Sequence, residues 1–76
     1  IDLSQNNITE IPPELEQLVS LKRVYLSFND LHIGNNFNFG RWKNLKELDL
    51  SLNYGVINLQ TEFPESLELL SLRVRQ

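Results

Sequence analysis

Leu45-Lys46-Glu47-Leu48-Asp49-Leu50-Ser51-Leu52-Asn53 holds four apolar residues and one asparagine at fixed offsets: 45, 48, 50 and 53, with Leu52 just before the asparagine. The same phrase stands at Leu21, Val24, Leu26 and Asn29, followed by Leu31. It stands again, shortened, at Ile1, Leu3, Asn6 and Ile8, and a last time at Leu67, Leu70 and Leu72. The intervals between Leu3, Leu26, Leu50 and Leu72 are 23, 24 and 22 residues. A steady period of this size marks a chain built from stacked copies of one small unit.

The local pattern says what the unit is. Val24-Tyr25-Leu26 and Leu48-Asp49-Leu50 alternate apolar and polar, the period-2 signal of a strand with one buried face. Some twenty residues between strands leave room for a return crossover, so the strands are expected to run parallel. Each inward leucine or valine then contributes about 1.5–3 kcal/mol on burial. No single unit can cover its own apolar side, so stability must come from stacking.

The asparagine column, Asn6, Asn29 and Asn53, has its own reason. A sharp turn after a strand strips backbone groups of partners, and a buried unpaired group costs about 1–3 kcal/mol. An asparagine amide both donates and accepts, so it can serve its own turn and the next one.

This phrase resembles the LxxLxLxxNxL pattern of leucine-rich repeat proteins over nearly the whole chain. The resemblance implies an α/β right-handed solenoid, with parallel strands on the concave side and short helical or irregular segments on the convex side. Its units fall at 1–20, 21–44, 45–66 and a partial 67–76, one domain cut from a longer array without caps. The connector Ile11-Pro12-Pro13-Glu14-Leu15 is similar to those of intracellular Ras-suppressor-like repeats and, more loosely, of plant receptor repeats.

The convex segments vary. Prolines at 12 and 13 and the acids that follow predict a short helix over 13–18. Phe39 and Trp42 fall at the offsets of Leu15 and Leu18, with Phe37 nearby, and read as large core side chains. The stretch 61–66 is expected to be extended or a single turn, because Pro64 moves Phe63 out of helical geometry. Gly55 breaks the pattern where Ile8 and Leu31 follow the asparagine, which gives that role to Val56 or Ile57, and Arg75 replaces the fourth asparagine.

Composition narrows the function. Net charge is −3, which speaks against nucleic acid or an anionic membrane as partner. There is no cysteine and one histidine, His32, so neither disulfide caps nor a Cys/His metal site is expected, nor any cofactor. No apolar run is long enough to span a membrane. A cytoplasmic setting is expected, with an extracellular one as the alternative. Asn7-Ile8-Thr9 is a glycosylation sequon, read here as a turn asparagine followed by a core isoleucine.

The strand residues that point outward form the candidate site. Stacking places Asp2, Tyr25, Asp49 and Ser71 side by side. The next column holds Arg23, Glu47 and Leu69, and the one beyond it Lys22, Lys46 and Glu68. On the other side run Ser4, Ser27, Ser51 and Arg73, then Gln5, Phe28, Leu52 and Val74. An aromatic between two carboxylates is typical of binding hot spots, and the plain alternative is a solvated strand face. Phe28 and Leu52 either stand exposed as a small apolar patch or tuck under the asparagine turn. Candidate partner-binding residues are therefore Asp2, Lys22, Arg23, Tyr25, Phe28, Lys46, Glu47, Asp49, Leu52 and Glu68. No nucleophile–base pair is visible, and Asp2 with Asp49 is the one acid pair to consider for catalysis. The reading is a non-catalytic protein-binding module. Its alternatives are a receptor ectodomain segment and the targeting arm of a larger signalling enzyme. Uncapped ends also predict end-to-end self-association.

Overall fold

The computed structural model describes residues 1–33, 37–53 and 62–73. In chain order it contains a short helix α1 (Pro13–Glu16), strand β1 (Arg23–Tyr25), a single 3-10 turn (Phe39–Arg41), strand β2 (Glu47–Asp49) and strand β3 (Leu69–Ser71). The strands form one parallel sheet in the order β1-β2-β3. A parallel bridge between Asp2 and Tyr25 adds the first unit to its edge. The register is the one that the repeat dictates: Val24 pairs with Leu48, and Leu48 with Leu70.

The hydrogen-bond ladder runs past the strands. Leu3, Leu26 and Leu50 each donate their N–H to the next unit, to the carbonyls of Tyr25 (2.8 Å), Asp49 (2.8 Å) and Ser71 (2.9 Å). Two residues on, Gln5, Phe28 and Leu52 do the same to Ser27 (2.9 Å), Ser51 (3.2 Å) and Arg73 (2.8 Å). Between those rungs the chain kinks. Gln5, Phe28 and Leu52 have φ of 59°, 57° and 60°, the left-handed region. That region puts Cβ against the backbone in any residue but glycine. Its recurrence at one repeat position makes it a property of the turn.

The asparagines fill the turn as the donor-acceptor argument requires. The Asn29 amide donates to the carbonyls of Leu26 and Ser27 in its own turn and of Leu3 in the neighbouring unit. Its carbonyl oxygen accepts from the N–H groups of Asn6 and Ile8, both at 3.1 Å. Asn53 repeats the arrangement with Leu50, Ser51 and Leu26, and accepts from the N–H of Leu31. Both are buried. No buried side-chain polar atom among the described residues lacks a partner.

The core lies on one side of the sheet. Val24, Leu26, Leu31, Leu45, Leu48 and Leu50 are fully buried, with Phe39 and Trp42 beneath them. Phe39 stacks on Phe63 at 5.3 Å and meets Trp42 edge-on at 5.8 Å. The aromatic residues are thus core, as expected. The Trp42 indole donates to the carbonyl of Leu15 at 2.8 Å, tying the second convex segment to the first.

Two convex details differ from expectation. The helix stops at Glu16, two residues short of 18, because Gln17 and Leu18 bond only three residues back and Val19 turns onto the Gln17 carbonyl. Leu18, at the offset of buried Trp42, is 47% exposed. One α turn and one 3-10 turn present that position differently, so equal spacing does not give equal burial. Pro64 starts a tight turn, with Leu67 N–H bonded to its carbonyl at 3.1 Å, and no helix forms there. Gly55, Val56, Ile57, Thr61, Val74 and Arg75 lie outside the described residues.

Candidate functional site

The side of the sheet away from the core is open. Its first row is set by the register Asp2–Tyr25–Asp49–Ser71. Neighbouring strands of a sheet lie about 4.8 Å apart, so Tyr25 has an aspartate on the strand to each side. Asp2 and Asp49 share one local fold. Each accepts from the N–H of the serine two residues on: Ser4 to Asp2 at 3.0 Å, Ser51 to Asp49 at 2.9 Å. These bonds, with the Ser4 hydroxyl, hold the Asp2 carboxyl below the usual aspartate range.

The second row is Arg23–Glu47–Leu69. Arg23 Nε donates to Glu47 Oε2 at 2.6 Å, and the other Glu47 oxygen accepts from the Tyr25 hydroxyl at 3.3 Å. Glu47 thus links a cation in its own row to the aromatic in the next. The carboxylate raises the Arg23 pKa through that bond. Desolvation first, and then the Glu47 charge, raise the Tyr25 phenol above its ordinary value. The sequence columns paired Arg23 with Glu47, but not the diagonal from Glu47 to Tyr25. The signal was reach: a glutamate side chain spans from one row to the next.

The third row begins the ladder. Lys22 offers its carbonyl to the N–H groups of Lys46 and Glu47 at 2.7 and 3.1 Å, and Lys46 offers its own to Glu68 and Leu69. The Lys46 ammonium lies 3.9 Å from Glu68, a loose, exposed pair. Leu69 is 56% exposed at the edge of this face.

Below the first row the serines bond to one another. Ser27 donates to Ser4 at 3.2 Å, Ser51 and Ser71 hydroxyls meet at 2.6 Å, and Arg73 N–H donates to Ser51. They serve the framework rather than a nucleophilic role. Last comes the kinked row. Phe28 is 42% exposed and Leu52 is half-buried, so the two open alternatives for this pair divide between them. Sequence reasoning missed the left-handed kink that carries both. Glutamine, phenylalanine and leucine carry no left-handed signal, whereas glycine or asparagine there would have shown it.

All ten candidate residues therefore occur along one face of one sheet and its flanks. Asp2 and Asp49 stand on the strands to either side of Tyr25. On the opposite flank, Glu10, Glu16 and His32 border a shallow hollow of about 270 Å³ floored by Ile11, Pro13, Ile33 and Phe37. His32 and Asn7 are both exposed. Among the described residues no cluster of His, Cys, Asp or Glu could hold a metal ion, and no helix is long and apolar enough to cross a membrane.

Residues 1–18 match the family model described as Leucine Rich Repeat. The chain is 40% identical over 53 residues to an adenylate cyclase of Schizosaccharomyces pombe, across 70% of this chain. It spans 3% of that relative's length. No solved structure matches it.

Proposed function

We propose that this chain, which is built of leucine-rich repeats, is a non-catalytic module that captures a protein partner on the open face of its sheet. In this reading the units continue as a right-handed solenoid, and the open face is its concave side. The observation that carries it is the register. It aligns Asp2, Tyr25 and Asp49, and Arg23 with Glu47, and backbone bonds continue the ladder through Lys22, Lys46 and Glu68, a set of mixed charge with a central aromatic. Such a surface offers a hot-spot anchor and charge complementarity, but no desolvated pocket in which a reaction could be controlled.

A second reading places the module within a larger signalling enzyme as its targeting arm. The similarity to an adenylate cyclase supports it, since the match falls on the repeats and covers only a small part of that protein. The connector over 11–15, similar to those of intracellular repeats, favours a cytoplasmic setting for either reading. The test is the triple variant Tyr25→Ala, Glu47→Ala, Asp49→Ala, compared with the parent chain in capture of a partner. Capture is expected to fall at least about tenfold, in line with loss of a hot-spot cluster. Unchanged capture overturns the assignment to this face.

A further inference from the structure

The Phe28–Leu52 row and the Asp2–Tyr25–Asp49 row point to the chemistry of the partner. At φ near 60° a side chain is a local cost that glycine escapes and asparagine softens. Gln5, Phe28 and Leu52 all hold this geometry, so the turn imposes it whatever the residue. Phenylalanine at position 28 accepts that cost and then leaves 42% of its surface in water. Burial in the chain alone therefore gives only part of the return expected from so large a side chain. A bulky apolar residue held on strained backbone and facing outward is a feature to be tested for function.

The row above supplies the charge. Asp2 and Asp49 flank the Tyr25 ring in register. Two cations of this face are engaged, and the third, Lys22, lies in the far row, three residues before Tyr25. Arg23 is bonded to Glu47, and Lys46 faces Glu68. The second oxygen of Asp49 takes no hydrogen bond from the described residues. An aromatic face with a carboxylate on each side attracts a cation, by about 0.5–2 kcal/mol for the ring alone. Arg73, in the serine row, accepts the Leu52 N–H at its carbonyl. The face thus changes along the strand direction: acidic at the Tyr25 row, apolar at Phe28 and Leu52.

We propose that the partner inserts a lysine or arginine side chain over the Tyr25 ring between Asp2 and Asp49, and rests a neighbouring apolar side chain on the ledge of Phe28 and Leu52. This deepens the proposed function and rests on it. The occupant is a protein segment that alternates basic and apolar residues.

Two short fluorescent peptides test it against the full chain by anisotropy: one of alternating leucine and lysine, the other of alternating leucine and glutamate. The lysine peptide is expected to bind at least about tenfold more tightly than the glutamate peptide. Asp2→Asn with Asp49→Asn should remove most of that preference. Phe28→Asn should weaken the lysine peptide severalfold while the melting temperature stays level or rises, because asparagine tolerates the left-handed turn. Phe28→Gly gives the same readout with a second residue. Equal binding of the two peptides overturns the cation seat. A fall in melting temperature in both Phe28 variants, or unchanged binding in both, overturns the ledge. If neither peptide binds while the triple variant still abolishes partner capture, the proposed chemistry is wrong and the face remains the binding face. If the triple variant also leaves capture unchanged, both fall.

Discussion

β2 and β3 place leucines at the same repeat positions, yet those leucines live in different surroundings. Leu48 and Leu50 on and just after β2 are 1% exposed, with a unit packed on either side. Leu70 and Leu72, in the same repeat positions at β3, are only half-buried. Asn29 and Asn53 are buried and joined to a neighbouring unit, while Asn6 is exposed and, among the described residues, its amide donates within its own turn, to Leu3 and Ser4. The lesson is that a repeat letter has no fixed energetic value. Its contribution depends on whether a second unit closes over it, as expected for a stack held by nearest neighbours.

The largest test of that contrast is a matched pair of truncations. Leu48→Ala leaves a cavity walled on both sides and is expected to cost about 4 kcal/mol, against about 2 kcal/mol for Leu70→Ala, where solvent already reaches the site. Urea unfolding of both variants reads the difference directly. Equal losses would mean that the flanking units do not determine the energetics.

The next contrast concerns polar groups. Asn29→Ala strands the N–H groups of Asn6 and Ile8 and withdraws a donor from the carbonyls of Leu3, Leu26 and Ser27. Its loss is expected near 3 kcal/mol, since several partly buried groups go unmet together. Asn6→Ala removes two exposed bonds and should cost under about 1 kcal/mol. Amide hydrogen exchange at Ile8 would separate the two variants: Asn29→Ala should release it and Asn6→Ala should not.

These contrasts also show what could be read from the letters. The inward leucines and the asparagine column were legible because each answers a demand that any such stack makes: a buried period-2 face, and a turn whose backbone groups need partners. The parallel register over Arg23, Tyr25, Glu47 and Asp49 followed from the spacing alone. Three things did not follow. The left-handed backbone at Phe28 and Leu52 is imposed by the turn on residues that do not announce it. The exposure of Leu18 depends on whether its segment forms an α or a 3-10 turn, which equal spacing does not decide. The bond from Glu47 to Tyr25 crosses between rows, and a column reading holds rows apart.

That diagonal bond gives the smallest prediction, and one that joins the stacked interior to the open face. Tyr25 sits between two units, and its phenol is raised by desolvation first and by the Glu47 carboxylate second. A group raised in the folded state gives its stability below its unfolded pKa and loses it as the pH climbs through the folded one. Folding should therefore weaken on the alkaline side, above the ordinary tyrosine range. Glu47→Gln removes the negative charge but leaves the neighbouring strands in place. The phenolate absorbance of Tyr25 should then shift to lower pH without returning to the value of a free tyrosine, because desolvation remains. A complete return would mean that the charge alone holds the proton, and that the flanking units do not shield this row. No shift at all would mean that the bond at 3.3 Å does not persist in solution, leaving the row of Asp2, Tyr25 and Asp49 to rest on backbone register alone.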